Sequence, residues 1–549
     1  MKININCLFI SILLSQSFWV TAAVNFEQLI KNQQDIDRST RIENNLEKND
    51  VYSNIDTPKA IAIELPKEEN CFIIDQIVIE NNVLKPAALD VLTQRGVGRC
   101  LGVLGIKKLA TEMQDYLISA GYITTRIEIP SQDLTTKTLT LKVVPGRIEK
   151  ILIQDKAVRD WVLPFKKEDI LNLRDIEQGL ELIQRIPVDA LKINVEPGNR
   201  DGYSNIVINI TQSTRWNSRL WLNNWGDEST GKILANGAGY LYNLARLSDL
   251  FYLSGTTQAQ NRQGGYQSVS TYYAIPFGYW EYEFFYSQSQ SKQKLDLAQL
   301  DFNYQGRNTY LNFKGSRTVY RDQNKKIALS AELLRRKAHY QLEDVELVLQ
   351  KRNMTNVRFG LNYKQQFMGA MFDTTLMYQR FVQWFGAQKT ADMQSGDVSP
   401  HSHILNLDLN YLKYLNLSPF DGYYQFRVAG QYSPAGLTLQ DQFSIGNRWS
   451  VRGFENSPGL NGDSGFYLQN TLNVSTGFKN IDWYLGLDYG QVWNKNSDYE
   501  RSKLLGTTTG LSGRLYALNY DVSVSAPLMY PDHLSVDKVN LNFNLSYQL

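Results

Sequence analysis

Beyond its first two dozen residues the chain has no stretch approaching 18 consecutive apolar residues, so no transmembrane helix is predicted there. Charge of one sign is also missing. Against 57 Lys+Arg stand 55 Asp+Glu, and a net charge of +2 over 549 residues implies no basic face and no nucleic-acid partner. Histidine is scarce. His401 and His403 share one strand face but have no Cys or third His near them, so they read as polar loop residues and no metal is expected. The run Gly226 to Lys232 imitates a phosphate loop, yet Ile233 stands where a Ser or Thr must hold the metal, and a strand follows instead of a helix. It reads as a hairpin turn. There is no nucleophile elbow, and the carboxylates are too scattered to single out a catalytic pair. No cofactor and no enzymatic activity are expected.

Cysteine is rare, with 3 in the chain. The start of the sequence assigns one of them. Met1-Lys2, an apolar run through Leu8, Phe9, Ile10, Ile12, Leu13 and Leu14, and the small residues of Val20-Thr21-Ala22-Ala23 describe a signal peptide over residues 1–23. Cys7 would leave with it. Cys71 and Cys100 remain, and an even pair in an exported protein argues for a disulfide, with two buried free thiols as the alternative.

What the chain has in quantity is aromatics: 32 Tyr, 23 Phe and 10 Trp. Tyr and Trp rings prefer the boundary between water and hydrocarbon. Residues 24–48 carry spaced apolar positions and read as a weakly amphipathic helix, and 49–70, with Pro58 and Pro66, as a linker. A first α/β module spans 71–146. Phe72–Glu80 reads as one strand, Ile106–Ala120 as a helix closed by a left-handed Gly121, and Ile123–Ile129 and Thr138–Val144 as two strands. A second module of the same order spans 147–213, with strands at Ile148–Gln154, Leu191–Val195 and Ile206–Ile210 and a helix over Asp169–Ile186.

From residue 214 to 549 polar and apolar residues alternate in run after run. In the last run Val539, Leu541, Phe543, Leu545, Tyr547 and Leu549 face Asn540, Asn542, Asn544, Ser546 and Gln548, and Trp483–Tyr489 and Tyr516–Ser525 behave alike. Soluble strands average 5–6 residues, whereas runs of about 9–11 with aromatic ends are the mark of an outer-membrane barrel. At roughly 21 residues per strand with its turn, the segment accommodates about 16 strands, within a range of 14 to 18. One connection, about 441–465, holds five glycines and Pro458 without periodic apolar pattern. Trp449, Val451 and Phe454 make it too apolar for a disordered linker, and a loop of that length is usually functional. An Arg at the tip of such a loop inside a lumen needs a fixed anion, and Asp488 lies among the inward polar positions of its strand.

These residues resemble the two-partner secretion transporters (the TpsB family, of haemolysin-activator and haemagglutinin-transporter type), and the likeness covers nearly the whole mature chain. Gly121-Tyr122-Ile123-Thr124-Thr125-Arg126, followed by Pro145-Gly146-Arg147-Ile148, is similar to the family's POTRA signature. Val451-Arg452-Gly453-Phe454 resembles the tetrad on the inward loop six of the wider superfamily, and Leu487-Asp488-Tyr489-Gly490 the wall motif that faces it. The Cys71–Cys100 spacing resembles the haemolysin-activator branch. The chain departs from the family in ending on Leu549 instead of Phe, which would shift recognition by the barrel-assembly machinery to Phe543 and Tyr547.

The resemblance implies an antiparallel transmembrane β-barrel behind two periplasmic POTRA modules, with residues 24–48 as a plug helix. It implies an outer-membrane protein of a Gram-negative bacterium, in contact with outer-membrane lipid, that translocates a large unfolded exoprotein: a haemolysin, an adhesin or a contact-dependent toxin. Gly121, Tyr122, Thr124, Thr125 and Arg126, the strand Thr138–Val144 and the helix Ile106–Ala120 would form the substrate surface, the strand by accepting an added strand. The alternative within the same superfamily is an outer-membrane protein assembly factor. A porin is disfavoured by the two modules.

Overall fold

The computed structural model describes residue 50 and residues 64–84, 87–154, 158–212, 214–260, 264–297, 300–417, 420–478, 480–495 and 501–548. The signal peptide (1–23), the plug helix (24–48) and Leu549 lie outside the described residues.

The first module contains β1 (Phe72–Ile74), β2 (Gln76–Glu80), α1 (Ala87–Gln94), β3 (Arg99–Leu101), α2 (Val103–Ser119), β4 (Arg126–Glu128) and β5 (Thr138–Val144). The single strand expected over Phe72–Glu80 is two strands. Asp75 donates its amide to Lys137 O at 2.8 Å and breaks the run, so that β1 pairs with β3 and β2 pairs in parallel with β5. Leu109, Met113 and Leu117 of α2 are fully buried with Leu139 and Leu141 of β5, as the helical and strand spacings require. Gly121 closes α2 at φ +99°.

Cys71 and Cys100 form a disulfide that ties the start of β1 to β3 across 29 residues of sequence. Closing a loop of that size contributes about 3–4 kcal/mol in the chain-entropy model. Reduction with dithiothreitol should therefore raise amide exchange in β1 and β3 by on the order of 100-fold while leaving the strands of the second module protected. Unchanged protection in β1 and β3 after verified reduction would refute a structural role for the bridge.

Residues 64–70, expected as linker, are part of the first module. The helix α2 begins at Gly102, whose lack of a side chain leaves its first amides without a local cap. Glu68 supplies one from outside, accepting from the amides of Gly102 (2.9 Å), Leu104 (2.9 Å) and Gly105 (2.8 Å). Partial desolvation opposes the charge, but the amides of Gly105, Leu104 and Gly102 outweigh it and hold the carboxyl below its ordinary value. Leu65 packs on the core beneath.

The second module repeats the plan with β6 (Arg147–Ile153), α3 (Leu173–Ile183), β7 (Val188–Pro197) and β8 (Tyr203–Gln212), in sheet order β6-β8-β7. The helix starts later than the expected Asp169 because Asn172 caps it, accepting from the Arg174 amide at 2.8 Å.

Sixteen long antiparallel strands then close into a barrel, from Trp216–Asn223 to Asn540–Gln548. The closing pair runs from Asn544 opposite Asn223 to Gln548 opposite Arg219. In the last strand Asn540, Asn542 and Ser546 are buried toward the lumen while Leu541 and Tyr547 are exposed outward, the alternation its sequence shows. Tyr516, expected at the start of a strand, sits in the turn before Leu518–Met529 at φ +55°. Among the described residues no helix is long and apolar enough to cross a membrane. Three neighbouring strands, Trp280–Leu297, Leu300–Arg321 and Lys325–Leu342, are the tallest at 18, 22 and 18 residues. The Gly226–Lys232 run is a turn, closed by the Gly226 amide on Lys232 O (2.9 Å) and the Gly231 amide on Asp227 O (2.8 Å).

Candidate functional site: the inward loop and the mouth of the barrel

Between strands Phe420–Tyr432 and Ser464–Ser475 the chain turns back into the barrel. The connection starts earlier than 441, and it is not structureless. Phe443–Ile445 pairs with Leu460–Gly462 as a small hairpin, which satisfies backbone groups that a lumen cannot leave unpaired. Its apolar residues are the reason it folds inward. Ile445, Val451 and Phe454 are buried against Tyr467, Val492 and Leu504 of the wall.

At the tip Arg452 grips Asp488 with both arms of its fork, Nε to Oδ2 at 2.6 Å and Nη2 to Oδ1 at 2.7 Å. The Arg452 amide donates to the same carboxylate at 3.0 Å, and Nη2 also reaches Thr471 Oγ1 at 2.9 Å. Asp488 is 0% exposed, so this is a desolvated, bidentate ion pair of the strong kind.

The wall is cut to receive the tip. A Cβ on Gly486 would stand 2.4 Å from Arg452 Nη2, one on Gly490 2.7 Å from Val451 Cγ2, and one on Gly506 1.9 Å from the Arg452 carbonyl. Gly453 turns the tip at φ +105°, where a Cβ would strike the Ala526 carbonyl at 2.5 Å. Asn540 Nδ2 holds the Gly453 carbonyl at 2.9 Å, and Phe454 meets Tyr530 edge-on at 6.2 Å. The sequence reading missed Thr471, Gly486, Gly506 and Asn540. Gly486 was within reach of it, since Gly486, Asp488 and Gly490 alternate on one strand face and a strand glycine marks close approach.

The outer end of the loop is pinned by other strands. Asp441 pairs with Arg336 and accepts from Gln379 Nε2 at 3.1 Å, while Arg352 Nε donates to Gln440 Oε1 at 3.1 Å. A cavity of about 600 Å³ remains between the loop and the wall opposite, with Glu283, Lys314, Arg336 and Arg358 among its charged lining.

The POTRA signature lies at the joint between the two modules. The Gly121 carbonyl accepts from the Leu173 amide at 2.8 Å, and a Cβ there would meet Asn172 Oδ1 at 2.4 Å. Buried Thr125 accepts from the Gly146 amide at 3.2 Å, and a Cβ on Gly146 would stand 2.0 Å from Thr124 Oγ1. Tyr122 packs on the first core, and Arg126 faces Asp201 at 3.5 Å on the surface. The strand Thr138–Val144 is the centre of its sheet, with β2 on one side and β4 on the other, which corrects its expected place at an edge. Only part of it lacks a neighbour. Beyond the three-residue β4, the Thr140 amide and carbonyl are taken by the side chain of Gln132, at 2.6 and 2.9 Å.

The second module is locked onto the barrel mouth. Arg321, in the wall, donates to Gln178 (2.9 Å) and Glu181 (2.7 Å) of α3 and lies 3.5 Å from Glu177. Arg185 meets Glu281 at 2.8 Å. Burial pushes the Asp175 carboxyl up, against the opposing hydrogen bond from Tyr279 in a barrel turn. Lys326, pointing inward from its strand, pairs with Glu181 and with Asp50 at 3.0 Å, and Lys364 holds Asp50 at 2.6 Å. The His403 ring pairs with the Tyr378 hydroxyl at 2.6 Å.

Comparison with known proteins agrees with this architecture. The model of the family described as haemolysin secretion/activation protein ShlB/FhaC/HecB matches residues 202–513. A ShlB-type POTRA domain matches 72–146 and a second POTRA domain 147–197. The outer membrane transporter CdiB-2 of Burkholderia pseudomallei is 28% identical, over 96% of this chain and 94% of its own. The hemolysin transporter protein ShlB of Serratia marcescens is 26% identical, over 88% and 87%. The solved CdiB from Escherichia coli superposes with a TM-score of 0.82 at 24% identity, covering 95% of this chain and 97% of that one.

Proposed function

Because the chain belongs to the haemolysin secretion/activation family, a family of outer-membrane transporters with POTRA modules in the periplasm, we propose that it carries one large unfolded exoprotein outward through its own barrel. The observation that carries this is the Arg452 loop, which lies in the lumen and is held there by side-chain contacts, the Arg452–Asp488 and Asp441–Arg336 pairs and an apolar cluster, instead of by the wall's continuous ladder. Such a loop can be displaced without unfolding the barrel.

Capture would use the sheet of the first module. Gln132 sits where an added strand would pair with Thr140, making the two hydrogen bonds a peptide would make. An extended substrate can replace it at little cost. The rigid joint at Gly121, Thr124 and Thr125 would then hand the chain to α3 and the barrel mouth. Residues 24–48 would plug the lumen in the resting state. Asp50, close behind them in sequence and held between Lys326 and Lys364, supports this. Phe543 and Tyr547, on the outward face of the last strand, would serve recognition by the barrel-assembly machinery. Haemolysin is the substrate that the Serratia relative's name indicates, and a toxin of that class, an adhesin or a contact-dependent toxin fits this chain.

The alternative, a factor that inserts other membrane proteins, makes a different prediction. Deleting the gene should trap a single exoprotein in the periplasm, with its level in the medium falling more than 10-fold, while outer-membrane protein levels stay unchanged. General loss of outer-membrane proteins would transfer the assignment to assembly.

A further inference from the structure

The outward face of the three tall strands carries a group of cations away from the inward loop. Tyr286, Leu311 and Arg335 stand opposite one another in register across these strands. On the periplasmic side of that row the outward positions are mainly apolar down to the row of Trp280, Arg317 and Leu329, and Phe284, Phe313 and Leu329 are each at least 40% exposed, which marks the hydrocarbon-facing band. In the three rows directly above it the outward positions turn polar, and each row holds one Lys or Arg. Lys337 faces Thr309, Arg307 faces Gln290 and His339, and Lys292 faces Gln305. Lys292, Arg307 and Lys337 are thus successive diagonal neighbours on three adjacent strands, roughly 7–8 Å apart, with Arg335 two residues below Lys337.

All three diagonal cations are exposed. Three acids of the same hairpins are engaged elsewhere: Glu346 with Lys351 (3.0 Å) and His339 (3.3 Å), Glu343 with the Asn303 amide (2.5 Å), and Asp301 with Lys294 (3.9 Å). Among the described residues neither Arg307 nor Lys337 has an ion-pair partner. Like charges this close repel unless an anion lies between them.

We propose that Lys292, Arg307, Lys337 and Arg335 form a site for the phosphate-bearing headgroup of an outer-leaflet lipid. The site faces the membrane and begins where the apolar band ends, which is where a lipid places its phosphates. Its guanidinium and ammonium donors match phosphate oxygens. The acyl chains of the same lipid would lie on Phe284, Phe313 and Leu329 beneath. A free phosphate would gain nothing from that apolar continuation.

The test is native mass spectrometry of the full chain in detergent, titrated with diphosphorylated lipid A and with its dephosphorylated form. The phosphorylated lipid should bind at least 10-fold more tightly, and Arg307→Gln combined with Lys337→Gln should remove that preference. Arg514→Gln, at the periplasmic end of the strand Ser502–Leu515, should retain it. Heat-modifiable gel mobility verifies that each variant holds its barrel, and the wild-type lipid comparison stands even where a variant does not. Equal binding of both lipids, an unchanged preference in the double variant, or displacement of the lipid by millimolar inorganic phosphate would overturn the proposal.

Discussion

Arg452→Ala should cut secretion of the exoprotein by 10-fold or more while the barrel still assembles and inserts. Asp488 has no exposure of its own, and the Arg452 guanidinium is its ion-pair partner. Removing one partner of a buried pair leaves an uncompensated charge, at a cost of about 3–5 kcal/mol. That cost falls on the loop. Asp488 lies in a strand paired on both sides, opposite Gln469 and Gly506, and this ladder does not depend on the tip. A second variant separates charge from position. Gly506→Ala keeps both charges but sets a methyl 1.9 Å from the Arg452 carbonyl, against backbone that cannot give, so the tip must lift and secretion should fall as well. Secreted protein per folded barrel is the measurement, with folding judged by heat-modifiable mobility. Normal secretion by a folded Arg452→Ala barrel would end the assignment of the loop as a functional element.

The tip and its partner were legible in the sequence because two independent patterns crossed there. The apolar residues Trp449, Val451 and Phe454 made a long loop unfit for solvent, and period-two alternation put Asp488 on the inward face. The barrel was legible for the same reason, since alternation sustained over about 10 residues exceeds the length of an ordinary soluble strand. What escaped depends on partners remote in sequence. The break at Asp75 is invisible because Phe72–Glu80 is continuously strand-like, and only its two different partners divide it. The cap by Glu68 depends on Gly102 having no side chain of its own, 34 residues away. The bonds from Arg321 to α3 span 143 and 140 residues and follow no local periodicity. The sheet order that puts Thr138–Val144 at the centre is likewise a property of the assembled module. Alternation shows which way a residue faces; it does not show which strand lies beside it.

Another long-range contact, from Lys326 and Lys364 to Asp50, carries the second large prediction, that Lys326→Glu with Lys364→Glu opens the pore. Both lysines point into the lumen and hold Asp50, whose side chain is 7% exposed, at 3.0 and 2.6 Å, and Lys326 also binds Glu181 of α3. One cation therefore ties the N-terminal segment and the second POTRA module to the same spot on the wall. Reversing both charges leaves Asp50 and Glu181 facing acids. A loss of about 3 kcal/mol shifts occupancy by roughly 100-fold. If residues 24–48 plug the lumen, the variant should conduct persistently in planar bilayers, where the native protein should stay largely closed. Substrate passage alone would not separate plug release from loss of POTRA docking, because Lys326 serves both. Asp50→Lys in the reversed background does separate them: it restores only the N-terminal contact, so it should close the pore again while leaving Glu181 with Arg321 but without its lysine partner. A pore that stays open after that restoration would place the gate at the docking of α3, and a reversed variant that never conducts would remove the N-terminal segment from the lumen altogether.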